Sequence, residues 1–444
     1  MRHDYIARLV DLTDAERLAP RNLSVEEARV RLATGDPAAV RELEGPFALV
    51  ARRDERVFLA RSLDRPLRYF LAKEVEGPML VVAESMREIS DFLAAEGYAD
   101  QFHPSYTRMA PAHHLTTIRL VGCPDPNPVH RRFLEPAAPD ELLPADLDLI
   151  GERYVGALRR QVEGWLDAVP SREPIGVLFS GGLDSGSVLL AVYRALLDRG
   201  ESPARLKAFT LAVDGGGEDL AQAREFLRRL DLEMLGEAIE VEADAVDPYA
   251  AIELIEDYKP LDVECAAVNL ALLTALRDRY PDWRHLIDGD GGDENLKDYP
   301  IGEGANDELT IVSVVNNPLL YQEGWGVDCI KHSLTYSGGF SRGCVRTYAP
   351  ARALGFHGFS PFATPPLVAV ATAIPFSELA GGEEERLYAL KGEILARGVV
   401  RVLDLELPVF DKRRFQRGAV PGHVFAEKFG VAPEDYRRHF DSRF

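Results

Sequence analysis

Cysteine is scarce in this chain, with four in 444 residues (Cys123, Cys265, Cys329 and Cys344) and no C-x-x-C pair. That usage excludes a disulfide-stapled secreted scaffold and a thiolate zinc site, and it predicts a reducing, cytoplasmic setting. No apolar run approaches the roughly 18 uninterrupted residues of a membrane span. The opening MRHDYIARLVDLTDAERLAP scatters charges where a signal peptide would have its apolar core. Positive charge is also in deficit: 51 Lys and Arg against 72 Asp and Glu leave a net −21. Non-specific attraction to nucleic acid or to an anionic membrane is therefore not expected, and the partners should be small molecules or basic surfaces. A polyanionic ligand would need a site built locally from backbone N–H groups, a metal and a few placed cations.

What is present is the balance of an ordinary globular protein, 46% hydrophobic and 28% charged, at a length that suits two or three domains. Short alternating apolar runs fill the first 120 or so residues: FALVARR from Phe47, RVFLARS from Arg56, LRYFLAK from Leu67, MLVVAES from Met79 and HLTTIRLVG from His114. They predict an antiparallel β-sandwich, interrupted by one helix, REISDFLAAEG, from Arg87. Six prolines then crowd between Pro124 and Pro144, which predicts a linker over 123–145 between a domain at 1–122 and another at 146–444. From Leu147 the apolar period becomes helical, and beyond that helix strands alternate with helices: PIGVLF, LKAFTLAV, AIEVE and RHLID. This is the pattern of a doubly wound α/β parallel sheet, and a helical C-terminal extension should follow Pro300.

The sharpest feature is SGGLDS, Ser180–Ser185, between the strand GVLF and a helix. Small residues let backbone N–H groups approach an anion, and the helix N-terminus behind them adds favourable charge. The lysine of a Walker A loop is missing. In its place stands Asp184, a hard oxygen ligand suited to Mg²⁺ on phosphates. A second loop, GDGGDE from Gly289 to Glu294, follows the strand RHLID. Both loops fall at the C-terminal edge of a parallel sheet, where Asp184 and Asp293 can converge on one metal.

The strand–SGGLDS–helix unit resembles the PP-loop of ATP pyrophosphatases, and with GDGGDE it is similar to the asparagine synthetase family, including its β-lactam-forming and lasso-peptide-cyclising relatives. FALVARRDERVFLARSLDRPLRYFLA resembles the glutaminase-type domain of that family, GFSPFATPPLVAVATAIP its R-V-P-F-L-D segment, and LPVFDKRRFQRGA its late R-x-K-x-x-F segment. The resemblance implies a PP-loop synthetase domain that adenylates a substrate carboxylate with ATP and Mg²⁺, releases pyrophosphate, and forms an amide with ammonia or an amine. It implies that Ser180, Gly181, Gly182 and Ser185 cradle phosphates and that Asp184 and Asp293 hold Mg²⁺. Gly289, Leu178 and Leu211 would line the nucleotide pocket. Lys412 matches the late lysine that meets charge on the departing pyrophosphate, and Lys391 resembles a further basic position. Asp290 sits where ammonia users carry an acid and β-lactam formers a tyrosine.

Departures from the family pattern are plain. The chain reads Met1-Arg2-His3 where glutaminase members place a nucleophilic cysteine, so the N-terminal sandwich is expected to be a degenerate, glutaminase-like scaffold. Thr364 stands near the place of the R-V-P-F-L-D acid. An intramolecular cyclase and a nucleotide-binding regulator without catalysis stay open as alternatives, as does a homodimer.

Overall fold

Strands that are apolar on both faces need two covers, and the N-terminal unit supplies both. The computed structural model describes residues 4–122, 126–302, 309–323, 344–410 and 418–444, and the chain divides into two units, one of them 1–135 with 323–344 and 441–444. This first unit holds two four-stranded sheets. One orders β1 (Arg8–Asp11), β5 (Pro78–Ala83), β4 (Arg68–Lys73) and β6 (Arg108–Met109) as β1-β5-β4-β6. The other orders β2 (Ala48–Arg53), β3 (Arg56–Arg61), β7 (His114–Val121) and β8 (Pro126–Arg132) as β2-β3-β7-β8. Val50, Val57, Leu59 and Ile118 from the second sheet pack with Tyr69, Leu80 and Val82 from the first. The alternate residues Met79, Val81 and Ala83 meet Ile89 and Leu93 of helix α1 (Met86–Ala95), whose start is fixed by a Ser85–Glu88 capping box.

Two expectations are corrected here. The sheets are antiparallel except where β1 pairs in parallel with β5. Part of the stretch expected as linker is strand β8, paired along β7. Proline is tolerated there because, among the described strands, β8 lies at the edge of its sheet, with no ladder to complete on its outer side.

The second unit, 136–322 with 345–440, is built on a five-stranded parallel sheet. Its strands are β9 (Ile175–Leu178), β10 (Leu206–Val213), β11 (Gly236–Val241), β12 (His285–Ile287) and β13 (His357–Phe359), ordered β11-β10-β9-β12-β13. Sequence order therefore runs outward from β9 on one side and from β12 on the other, which opens a crevice beyond the C-terminal ends of those two neighbours. The helices expected from the sequence flank these strands: α2 (Leu147–Leu166), α3 (Leu183–Asp198), α4 (Glu218–Arg229), α5 (Pro260–Arg279) and α6 (Glu384–Leu403). Helices α2 and α6 cross at two glycines. A Cβ at Gly151 would lie 2.7 Å from Ile394 O and 2.8 Å from Gly398 N, so the two backbones touch and α6 is fixed tightly on α2. No described helix is long and apolar enough to cross a membrane.

Candidate functional site

Strand β9 stops pairing with β10 at the Leu178–Phe209 register, while β10 runs on to Val213. The chain leaving β9 turns through Ser180–Gly182 into α3. Gly181 has φ +76°, and a Cβ there would lie 2.6 Å from Ala223 N, so the loop is seated directly on the backbone of α4. Internal hydrogen bonds set the turn: Gly182 N–H donates to Ser180 Oγ at 3.3 Å, and Ser180 N–H donates to Ser185 Oγ at 3.3 Å. Gly182 caps α3 without a side chain, which leaves the first-turn N–H groups of a sixteen-residue helix for an anion.

The loop after β12 meets this one as the topology requires. Gly289 and Gly292 approach Asp184 so closely that a Cβ on Gly289 would lie 3.0 Å from Asp184 Cβ, and one on Gly292 would reach 3.0 Å from Asp184 Oδ2 and closer to Oδ1. The turn is held from beneath. Asn295 donates to Phe362 O at 2.9 Å and to Tyr154 Oη at 3.2 Å, and the Tyr154 ring stacks on Phe362 at 5.9 Å.

Between the two acidic loops stands Lys391, projected from α6. Its ammonium donates to Asp184 Oδ2 at 2.5 Å and to Asp293 Oδ1, and it lies 3.3 Å from Asp298 Oδ2. Burial works against the Lys391 charge, but Asp184, Asp293 and Asp298 hold its pKa well above the usual lysine range. Burial pushes the Asp184 carboxyl up to about 7, with the Lys391 ammonium opposing the rise and Asp293 reinforcing it. Asp184 Oδ1 is buried and has no hydrogen-bond partner.

Those features fit a hard cation. An orphaned carboxylate oxygen and an ammonium shared by two aspartates mark a place built for positive charge. Among the described residues no three His, Cys, Asp or Glu side chains are grouped to hold a metal by themselves. That composition suits Mg²⁺, which takes one or two carboxylates and completes its shell with phosphate oxygens and water.

Asp290 lies on the same turn but serves a different neighbourhood. Its Oδ2 accepts from Thr347 Oγ1 at 2.8 Å, and burial pushes its pKa up to about 6 against the pull of Arg346 and the Thr347 hydrogen bond. Arg346 and Thr347 are carried by a single π-helical turn, Cys344–Tyr348. The Arg346 guanidinium donates to Asp262 Oδ1 and to Tyr299 Oη, both at 3.4 Å, and Tyr299 Oη donates to Glu294 Oε1 at 2.6 Å. A buried polar network thus starts one residue from the Gly289 turn and extends to α5.

The residues expected from the sequence separate accordingly. Ser180, Gly181, Gly182, Asp184, Ser185, Gly289 and Asp293 come together, and Asp290 adjoins them. Leu178 ends β9 and Leu211 lies on the stretch of β10 that outruns β9; their side chains are 9% and 1% exposed, so only their backbone is available to a ligand. Lys412 lies outside the described residues. Phe410, close before it, stacks against Arg229 of α4 at 4.7 Å, and Gly418, just after, meets Asp219 of the same helix. Thr364 is buried and donates to Pro361 O at 2.6 Å, a local turn contact that does not replace an acid. Lys391 takes a more central place than its motif suggested. Asp298, Asp262, Arg346 and Thr347 carried no pattern that sequence reasoning could seize, although Asp298 follows Asp293 by only five positions.

Residues 157–313, a stretch that takes in both acidic loops, match the family model described as asparagine synthase. Compared with curated proteins, the chain finds no match.

Proposed function

We propose, because residues 157–313 match the family model described as asparagine synthase, that this protein is an AMP-forming ligase that joins a small-molecule carboxylate to ammonia or an amine. The observation that carries the reading is the meeting of the SGGLDS and GDGGDE loops at the point where strand order reverses, with Asp184 and Asp293 on one shared cation.

In this reading the N–H groups of the Ser180–Ser185 turn and the first turn of α3 hold the phosphates of ATP. Asp184 and Asp293 hold Mg²⁺, which when bound would draw charge from the phosphate oxygens. A substrate carboxylate oxygen attacks the α-phosphorus, the bond to the bridging oxygen breaks, and pyrophosphate leaves. The nitrogen nucleophile then attacks the acyl carbon and AMP departs. Asp290, whose carboxyl burial pushes up to about 6, takes the proton that nitrogen loses. An acid at this position favours an ammonia-like nucleophile. No cysteine precedes Cys123, so in this reading the chain takes ammonia or an amine without hydrolysing glutamine itself.

Pyrophosphate release screened against a panel of carboxylates with ammonium identifies the substrate, and phosphorus NMR of the products tests the bond cleaved. AMP and pyrophosphate are expected. ADP and orthophosphate would refute the adenylation scheme.

A further inference from the structure

Every ion pair described for Lys391 is with a carboxylate of the candidate site: Asp184, Asp293 and Asp298. A Mg²⁺ shared by Asp184 and Asp293 would take their oxygens at roughly 2.0–2.1 Å. The Lys391 ammonium already lies on those oxygens, 2.5 Å from Asp184 Oδ2 and against Asp293 Oδ1. On Asp184 Oδ2 and Asp293 Oδ1 one cation fits, and Asp184 Oδ1, which has no hydrogen-bond partner, offers a metal a single oxygen and not the shared pair. A second would meet the first within contact distance and with like charge.

The lysine also has nowhere in water to go. It is 3% exposed, and α6 is seated backbone to backbone on α2 through Gly151 and Gly398. Only the side chain can move, and a buried ammonium that leaves three carboxylates must find another anion. The phosphates of a nucleotide in the neighbouring N–H cradle are that anion. A compact ammonium on a flexible four-carbon stem suits the exchange, because its three donors reorient without a fixed plane.

The geometry points to Lys391 as a resident counter-ion that keeps a divalent metal off the Asp184–Asp293 pair until nucleotide phosphates arrive to receive it, so that metal and nucleotide enter as one unit. This inference rests on the ATP reading of the site and adds an order of binding to it. In its resting state the pair has part of its charge offset from within, and free metal competes with a tethered cation.

Two measurements on the full chain test it. Thermal unfolding of the wild type is followed with Mn²⁺ alone and with Mn²⁺ plus α,β-methylene-ATP, which cannot be cleaved at the bond in question. Metal alone should leave Tm within about 1 °C, and the pair should raise it by roughly 4 °C or more, as ligands that bind only the folded state do. In the second, Lys391→Gln removes the counter-ion, and calorimetric titration should show Mn²⁺ alone binding at least about tenfold tighter than to wild type, near 1.4 kcal/mol. A wild type stabilised as much by Mn²⁺ alone as by the pair overturns the exclusion while the ATP reading stands. A Lys391→Gln protein that binds Mn²⁺ no tighter than wild type overturns it too. A wild type that the pair does not stabilise sinks both readings, and this arm decides the matter even where the variant does not fold.

Discussion

Replacing Gly181 by alanine strikes the cradle at the point where it is least able to yield. Gly181 holds φ +76°, a left-handed conformation that costs a residue with a Cβ roughly 1–2 kcal/mol. The new carbon would lie 2.6 Å from Ala223 N, 2.8 Å from Ala223 Cα and 2.9 Å from Gln222 C, all backbone atoms of α4 that no rotamer can clear. Reaching even 3.4 Å, where ordinary contact begins, requires the loop to retreat from α4 by about 0.8 Å. A displacement near 1 Å at a reacting centre costs on the order of a hundredfold in rate, or about 2.7 kcal/mol of transition-state stabilisation. Gly181→Ala should therefore lower pyrophosphate release about a hundredfold, and its strain should lower Tm by roughly 2–6 °C. Gly392→Ala is the companion. It stands beside Lys391 on α6, where a Cβ meets nothing nearer than Val409 Cγ1 at 3.7 Å. Its turnover should be unchanged and its stability slightly higher, since alanine is the better helix former by up to about 1 kcal/mol. Steady-state pyrophosphate assays and calorimetric melting of the two variants decide it. A Gly181→Ala protein with more than about a third of wild-type turnover and an unshifted Tm would refute the seating of the cradle on α4 as the source of its geometry.

Asp293→Ala should cut turnover by on the order of a hundredfold or more, because it removes one of the two carboxylates on the shared cation; near-wild-type pyrophosphate release would exclude Asp293 as a metal ligand. Lys412→Ala should lower kcat with little change in the calorimetric affinity for ATP, as expected of a cation that meets charge growing on the departing pyrophosphate; equal losses in both would reduce it to a binding group. His113, buried with both ring nitrogens unpartnered, is held down to about 3 by burial, with Arg61, His114 and Arg132 adding to the effect. A depressed histidine stabilises the fold above its unfolded pKa of about 6.5 and surrenders that stability as pH falls toward 3, by roughly 3 kcal/mol at pH 4.5. His113→Asn, which tolerates the φ of +61°, should flatten the acid-side fall in Tm measured by calorimetry, and superimposable pH profiles would count against this histidine as a source of acid sensitivity.

The two acidic loops were legible because each is a local event. A short apolar strand, a run of small residues and a helix start suffice to write SGGLDS, and the same grammar writes GDGGDE after β12. Strand β13, His357–Phe359, was not legible, because three residues cannot display a period and its only partner among the described strands is β12, far away in sequence. Strand β8 was hidden by its prolines, whose cost disappears at an edge. Lys391 could be read as a basic position but not as the partner of Asp184 and Asp293, since that depends on the Gly151–Gly398 crossing that delivers α6 to the crevice. Arg346 and Thr347 lie on a π-turn without a motif, and only the tertiary fold brings them to Asp262 and Asp290. The site's polar skeleton is therefore written in the chain, while its charge pairing is a property of packing.

That pairing also accounts for how so acidic a protein could accept a polyanion. A net charge of −21 sets up a field that repels ATP, and the site adds Asp184, Asp293 and Asp298 around a single ammonium. Among the described residues, what opposes this is short-ranged: N–H groups at the start of α3 and the Lys391 ammonium, to which the nucleotide adds whatever cation it brings. Fields from surface charges are screened beyond about 8–10 Å at ordinary ionic strength, whereas a buried cluster is screened far less. The inner carboxylates, and not the surface excess, therefore set the requirement for accompanying positive charge. Raising salt should weaken the long-range repulsion without altering that requirement, so in the proposed reading discrimination between bare and metal-bound nucleotide would belong to the three aspartates and to the lysine that offsets part of their charge at rest.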